Sequence, residues 1–360
     1  MSNRKTQISR IKTTCAALAL GAMSMTVTAT AQAADKVLLK TPIAFGSHLP
    51  GLGTPIKRVA DQLKAMSGGS IKMKVYEPKK LIAPFEILDA VSTGKINSGY
   101  ATAGYWSGKM KAAALFSAVP FGPEAGEYMA WLYYGNGLKL YQEMYDNGGY
   151  NVKVLPCAII APETSGWFPK PIEKPEDLKG MKMRFFGLGG EVMSKMGVSV
   201  SLLPGGEIFP ALEKQAIDAT EFSMPAIDKL LGFHKLVKYN YFPGWHQQAT
   251  VFELLINGDT WKGMDASQQA VVENACKASM AESFAEGEAI QFTQMQENVE
   301  KNGVKIMRWN DEMLAAFKGA WDEVATEQSQ DAGFKKVYDD LTTFRNGYAI
   351  WKENAFLPRK

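Results

Sequence analysis

Twice along this 360-residue chain, short strand-like runs take turns with segments of helical spacing. In the first series VLLKTPIAF (37–45), SIKMKVY (70–76) and INSGYATA (96–103) read as strands. Between them TPIKRVADQLKAM (54–66) is amphipathic, and APFEILDAVSTG (83–94) sets Phe85, Leu88 and Val91 at helical spacing before Gly94. The second series starts at NVKVLPCAII (151–160). MKMRFFG (181–187), VSVSLL (198–203) and AIDATEFS (216–223) then read as strands, with helices over GGEVMSKMG (189–197) and GEIFPALEKQ (206–215) between them. Such alternation predicts parallel pairing and an α/β layered fold. Two series in one chain predict two α/β lobes with a cleft between them.

The remaining segments are simpler. EYMAWLYYGNGLKLYQEMY (127–145) reads as an aromatic helix packed into the core. PKPIEKPEDLKG (169–180) reads as a surface connection into a short helix. From about Ser267 the chain is mostly helical. Near its end Phe334, Val337, Leu341, Phe344, Tyr348 and Trp351 follow a 3, 4, 3, 4, 3 spacing, a heptad-like seam. A seam of this kind docks either on its own lobe or on a second subunit.

The first 33 residues differ from the rest. Arg4, Lys5, Arg10 and Lys12 precede an apolar stretch from about Cys15 to Val27, and Ala31-Gln32-Ala33 forms an A-x-A site. This is the pattern of a cleaved secretory signal peptide. The apolar stretch is shorter than the ~20 residues a membrane span needs. Without this leader, 36 basic residues face 37 acidic ones, so the charge gives no reason to expect a polyanion such as nucleic acid as partner. Cys157 and Cys276 remain. An oxidising compartment would let them pair, but their apolar flanks favour two buried free thiols. Neither has a second Cys or His at zinc-ligand spacing.

MKMRFFGLGGEV (181–192) holds the densest chemistry. Its glycines at 187, 189 and 190 fail the dinucleotide fingerprint, because Val192 stands where the last glycine belongs. They fail the Walker pattern too, since Glu191 follows Gly190. They read as a turn freeing backbone N–H groups at a helix start. His48, His234 and His246 lie in unrelated segments, and no G-x-S-x-G elbow is present. His246 reads as structural. Paired acids exist in Glu163, Asp218 and Glu221, and a glycosidase could use two of them. Arg184 ends a strand of an α/β lobe, where ligands sit. It is either a structural ion-pair partner or a bidentate carboxylate contact.

The run KGMKMRFFGLGGEVMSKMGVSVSLLPGGEIFPALEKQAIDATEFSMPAID (179–228) resembles the solute-binding proteins of tripartite ATP-independent periplasmic (TRAP) transporters, the DctP family. Gln215 stands where the family pattern has a glycine. FEILDAVSTGKINSGYATAGYWSGK (85–109), PFGPEAGEYMAWLYYGNGLKLYQEMY (120–145) and YNYFPGWHQQATVFELLIN (239–257) are similar to the branch binding 2-oxo acids and related monocarboxylates. The likeness covers about residues 36 to 350.

The resemblance implies a two-lobed periplasmic binding protein, type II-like, that closes on its ligand. It implies lobe I at 34–160 plus about 249–290 and lobe II at about 161–248 plus about 291–332. Residues 333–360 would form a C-terminal helix that dimerises the protein. Arg184 falls on the family's carboxylate-binding arginine. Glu221, Gln247 and the Phe222 backbone oxygen fall on its cation ligands. Phe222 replaces the usual Trp, which keeps an apolar wall and removes an N–H donor. Glu163, in PETSGWF, replaces a glutamine that is also a ligand; two carboxylates and an amide oxygen suit Na⁺ and suit Ca²⁺ better. Without a metal, Glu163 would instead accept from a ligand hydroxyl. Tyr100, Tyr105 and Trp106 fall in an aromatic segment that covers the ligand, Tyr105 foremost. The expected function is periplasmic capture of a small 2-oxo or 2-hydroxy monocarboxylate for a TRAP permease, without an organic cofactor or catalysis. The alternatives are mannitol or another polyol, a chloroaromatic acid, and, more remotely, a secreted hydrolase acting through Glu163 and Glu221.

Overall fold

The computed structural model describes residues 35–357, so the expected leader at 1–33 lies outside the described residues. Strands β1 (Val37–Pro42) and β2 (Ile71–Tyr76) pair in parallel, and the amphipathic helix Thr54–Met66 covers them with Ile56, Val59 and Leu63. Ile43 bridges from this pair to Tyr100 of β3 (Ser98–Ala101). Next come β4 (Val152–Ile160), β5 (Gly166–Phe168), β6 (Lys182–Arg184), β7 (Ser199–Ser201), β8 (Ala219–Thr220), β9 (Tyr239–Phe242), β10 (Thr250–Asn257) and β11 (Lys305–Arg308).

The pairing corrects the expectation of parallel sheets. In the first lobe β10 lies between β3 and β4 and runs antiparallel to both. Every residue of β10 is buried, as fits a central strand, including Glu253 in the middle of its mostly apolar run TVFELLIN. The second lobe has the order β11-β9-β5-β8-β6-β7, with β5 antiparallel to β8 and β9 and the other pairs parallel. Strand–helix alternation dictates parallel neighbours only within one lobe. The chain leaves the first sheet after Ile160 and returns before Thr250, so β5 and β10 enter from outside that rule.

The predicted aromatic helix is two helices, Ala125–Tyr134 and Gly137–Asn147. Gly135 is extended between them, and a Cβ there would come 2.7 Å from the Trp131 carbonyl oxygen. The tail holds three helices, Ala266–Asn302, Asp311–Gln328 and Ala332–Ala355, plus β11, which the sequence reading passed over.

The expected free thiols are also corrected. Cys157 on β4 and Cys276 on the long helix Ala266–Asn302 form a disulfide across a Cα separation of 4.2 Å. That helix lies directly on β4, and the Ser283 hydroxyl donates to the Ile159 carbonyl and accepts from its N–H beside the bridge. Burial and pairing are compatible here because the two cysteines bury each other.

The seam divides along its length. Phe334, Val337 and Leu341 are buried against residues 111–116 and the aromatic helices of the same chain. Asp340 accepts from the Trp131 indole at 2.8 Å, and Arg345 pairs with buried Glu127 at 2.9 Å. The far end leaves Ile350, Trp351, Phe356 and Leu357 exposed. No helix among the described residues is long and apolar enough to cross a membrane.

Candidate functional site

Parallel pairing places Met183 opposite Ala219 and Arg184 opposite Thr220. The carboxyl ends of β6 and β8 therefore project Arg184 and Glu221 side by side into the cleft. Arg184 Nη1 donates to Glu221 Oε1 at 2.7 Å and to the Glu221 carbonyl at 2.8 Å. Nε donates to the Leu203 carbonyl at 3.1 Å, and the guanidinium lies over the Phe222 ring at 5.2 Å. Nη2 has no hydrogen-bond partner among the described residues. Both members of the pair are buried.

The glycine cluster serves this geometry. The helix Gly187–Lys195 starts right after Phe186, whose N–H donates to Glu221 Oε1 at 2.5 Å. Gly187 has φ +58°, and a Cβ at Gly189 would come 2.7 Å from the Phe185 ring and 2.9 Å from His246 Cβ. The cluster is a close-packed turn, as expected, and it makes room for His246.

Two crossing segments complete the floor. Glu163 N–H donates to the Gln247 carbonyl at 3.1 Å, and the segments approach so closely that a Cβ at Gly244 would lie 2.2 Å from the Glu163 carbonyl oxygen. Thr250 Oγ1 donates to Glu163 Oε1 at 3.3 Å and accepts from Gln247 Nε2 at 2.6 Å. Glu163 Oε2, Glu221 Oε2 and Gln247 Oε1 are buried without a partner. So are both ring nitrogens of His246. Its Nε2 stands 3.8 Å from Glu163 Oε2 and 3.6 Å from Glu221 Oε2.

The two carboxyls part in acidity. Burial, then Glu221 and Asp228, push Glu163 well above the usual range. Burial also pushes Glu221 up, but Arg184, His246 and the Phe186 N–H outweigh it and hold Glu221 below its ordinary value. Asp228, beneath the floor, is raised to about 8 by burial and by Glu221.

A cavity of about 20 Å³ sits over these groups. Phe45, Thr102 and Tyr105 of the first lobe line it, with Glu163, Arg184, Phe186, Phe222, Gln247 and Thr250. Tyr105 packs edge-to-face on Phe186 across the cleft, and its hydroxyl is buried without a partner. A larger groove of about 690 Å³ between residues 107–112, the helix Gly137–Asn147 and the start of the last helix holds none of these unpaired groups.

Of the residues singled out from sequence, Arg184, Glu163, Glu221, Phe222, Gln247 and Tyr105 meet here. Tyr100 and Trp106 do not line the cavity. Tyr100 stacks on Phe252 in the first lobe's core, and the Trp106 indole donates to buried Glu253 at 2.7 Å. Core packing is their role because both face inward, while Tyr105 faces the cleft. Phe185 and Trp245 also lie beneath the site, Trp245 stacked on Phe317 at 4.5 Å. The sequence reading missed Phe45 and Thr250, and it took His246 as structural without placing it beside the two acids. His246 carried a signal, its place next to Gln247.

Residues 49–331 match the family described as DctP, bacterial extracellular solute-binding protein, family 7. A monocarboxylate 2-oxoacid-binding periplasmic protein of Nostoc sp. is 35% identical over 311 residues, 86% of this chain and 83% of the relative. A TRAP solute-binding protein of Bordetella bronchiseptica, a mixed-occupancy dimer with copurified calcium and picolinate, superposes with a TM-score of 0.86 at 28% identity, over 89% of this chain and 95% of that one. Another, of Pseudoalteromonas atlantica with bound sodium and pyruvate, gives 0.85 at 30% identity over 89% and 97%. This chain belongs to the DctP family of bacterial extracellular solute-binding proteins, the solute receptors of TRAP transporters.

Proposed function

We propose that the protein captures a small 2-oxo or 2-hydroxy monocarboxylate in the periplasm, with a cation beside it, and delivers it to TRAP permease subunits. Arg184 carries this reading: a buried guanidinium whose Nη1 is taken by Glu221 and whose Nη2 is free beside an aromatic-walled cavity. The free Nη2 supplies a charge-assisted donor for a carboxylate, and Tyr105 brings an unpaired hydroxyl for the neighbouring oxo or hydroxy oxygen.

Charge balance explains the cation. Arg184 and Glu221 already cancel, so an incoming carboxylate adds a negative charge in a water-poor site. Glu163, Glu221 and Gln247 hold unpaired oxygens that fit a cation, and the Phe222 carbonyl follows Glu221 directly. The ion would neutralise the ligand's charge and fix its orientation. No bond is made or broken in this account. Closure of the lobes over the acid is the event a permease reads. Residues 1–33 would direct export, and the exposed apolar end of the last helix would seat a second copy.

A thermal-shift screen tests the assignment, using pyruvate, 2-oxobutyrate, lactate, mannitol and 4-chlorobenzoate with and without EDTA. A 2-oxo acid should raise the melting temperature of the wild type and leave Arg184→Ala unmoved. A shift with mannitol or the chloroaromatic acid alone would transfer the site to those ligands, and chemical conversion of the acid on incubation would favour the hydrolase.

A further inference from the structure

Phe121 has φ +51°, a left-handed conformation that bulky side chains rarely take. Such strain persists only where the surroundings hold it, and it gathers at functional positions. Two residues hold it here. The Phe121 N–H donates to the Trp245 carbonyl at 2.7 Å, and its own carbonyl accepts from Arg345 Nη1 at 3.1 Å. Its ring stacks on the Trp245 indole at 5.8 Å.

Trp245 opens the short segment that carries Gln247 into the cavity wall. Phe185 and Phe317 stack on the indole at 6.2 and 4.5 Å. Phe121, from the first lobe, is a third grip on the same segment. Two residues on, the Gln247 carbonyl accepts from Glu163 N–H, and Gln247 Nε2 donates to Thr250. The placing of Trp245 therefore sets the placing of groups that line the cavity.

Arg345 reaches Phe121 from the last helix, Ala332–Ala355. Its planar fork is divided between two acceptors. Nε pairs with buried Glu127 at 2.9 Å, and Nη1 holds the Phe121 carbonyl. Lysine would keep a charge beside Glu127 and lose the second arm. Asp340 anchors the same helix elsewhere, accepting from Trp131 and Asn136.

We propose that Arg345, which does not line the cavity, is a positioning residue for ligand binding. Through Phe121 it clamps the segment Trp245–Gln247, so docking of the last helix and capture of the acid are energetically coupled. The proposal rests on reading the cleft as the carboxylate site, and it adds a residue that acts on that site from outside.

Two measurements test it: calorimetric titration of pyruvate, and hydrogen exchange over residues 243–250 in the ligand-free protein. Arg345→Lys should weaken pyruvate about threefold to thirtyfold, the usual range for coupling between sites, and speed exchange over 243–250. Asp340→Ala loosens the same helix without touching Phe121. It should leave affinity within about twofold and that exchange unchanged. Phe121→Gly keeps the left-handed backbone without steric cost and loses the stack, so it should also weaken pyruvate. Combined with Arg345→Lys it should cost less than the product of the two losses, because both act on one contact. Wild-type affinity in Arg345→Lys, unchanged exchange, equal losses in Arg345→Lys and Asp340→Ala, or multiplicative losses in the double variant overturn the proposal. Arg345→Lys against Asp340→Ala decides the matter if Phe121→Gly does not fold. Faster exchange in Arg345→Lys together with no pyruvate binding by the wild type keeps the clamp and sinks only the carboxylate reading.

Discussion

Arg184 and Glu221 stand at the carboxyl ends of two neighbouring parallel strands, joined at 2.7 Å and closed off from solvent. Glu221 has a second partner in the Phe186 N–H, and Arg184 keeps one end of its fork free. The pair is thus the structural salt bridge that the sequence left as one alternative, and the free end of the fork is what the proposed carboxylate contact would use. Removing one member of a buried pair leaves the other charge without compensation and costs about 3–5 kcal/mol. Arg184→Met and Glu221→Leu should each destabilise by that order, and the double variant by less than the sum. Urea melts analysed as a double-mutant cycle check this. Strict additivity would show that the two charges do not interact.

The two residues were legible but their pairing was not: the sequence reading set Arg184 on a ligand carboxylate and Glu221 on a cation. Alternation located β6 and the strand-like run 216–223, whereas the register that sets their ends side by side is a feature of the folded sheet. Tyr100 and Trp106 were misread because the partner that fixes Trp106, Glu253, is 147 positions away, on a strand that returns from the other lobe. The place of His246 between Glu163 and Glu221 was not legible, because both acidic neighbours come from distant segments. The disulfide was missed for the same reason: 119 residues separate the cysteines, and only the docking of the long helix on β4 joins them.

Glu253 is fully buried and accepts from Trp106, Tyr141 and Tyr145, and burial raises it to about 7. Asp228, under Trp167 and Ser223, is raised to about 8. A raised carboxyl keeps its proton in the fold where the unfolded chain has lost it. The stability this gives is full below the unfolded values near 4 and is lost as pH rises through 7 and 8. Melting temperature should therefore fall between pH 5 and pH 8.5, with a change of a few kcal/mol in stability. Glu253→Gln should flatten the part between about 4.5 and 7. Equal slopes in the two proteins would contradict the assignment.

Reduction opens the Cys157–Cys276 link between β4 and the long helix. The reduced protein should be roughly 2–5 kcal/mol less stable, as loss of a native cross-link commonly is. Melts with and without dithiothreitol measure it, with Cys157→Ser as the control that should no longer respond.

Trp351 ends a seam whose other end is already docked, and with Ile350 and Phe356 beside it forms an exposed apolar patch. Trp351→Asp should convert a dimer to a monomer in light scattering and leave the affinity for pyruvate unchanged. A wild-type monomer at micromolar concentration would contradict the role given to this end.

Arg184 Nη2 and its planar fork are the core of the functional account, and lysine keeps the charge while losing the fork. Calorimetric titration of pyruvate into wild-type protein and Arg184→Lys, at equal cation concentration and with folding checked by circular dichroism, tests it most directly. The account predicts saturable binding by the wild type and a loss of at least about a hundredfold in the variant, equal to about 3 kcal/mol. Unchanged affinity in Arg184→Lys, or no binding of any 2-oxo acid by the wild type, would contradict it.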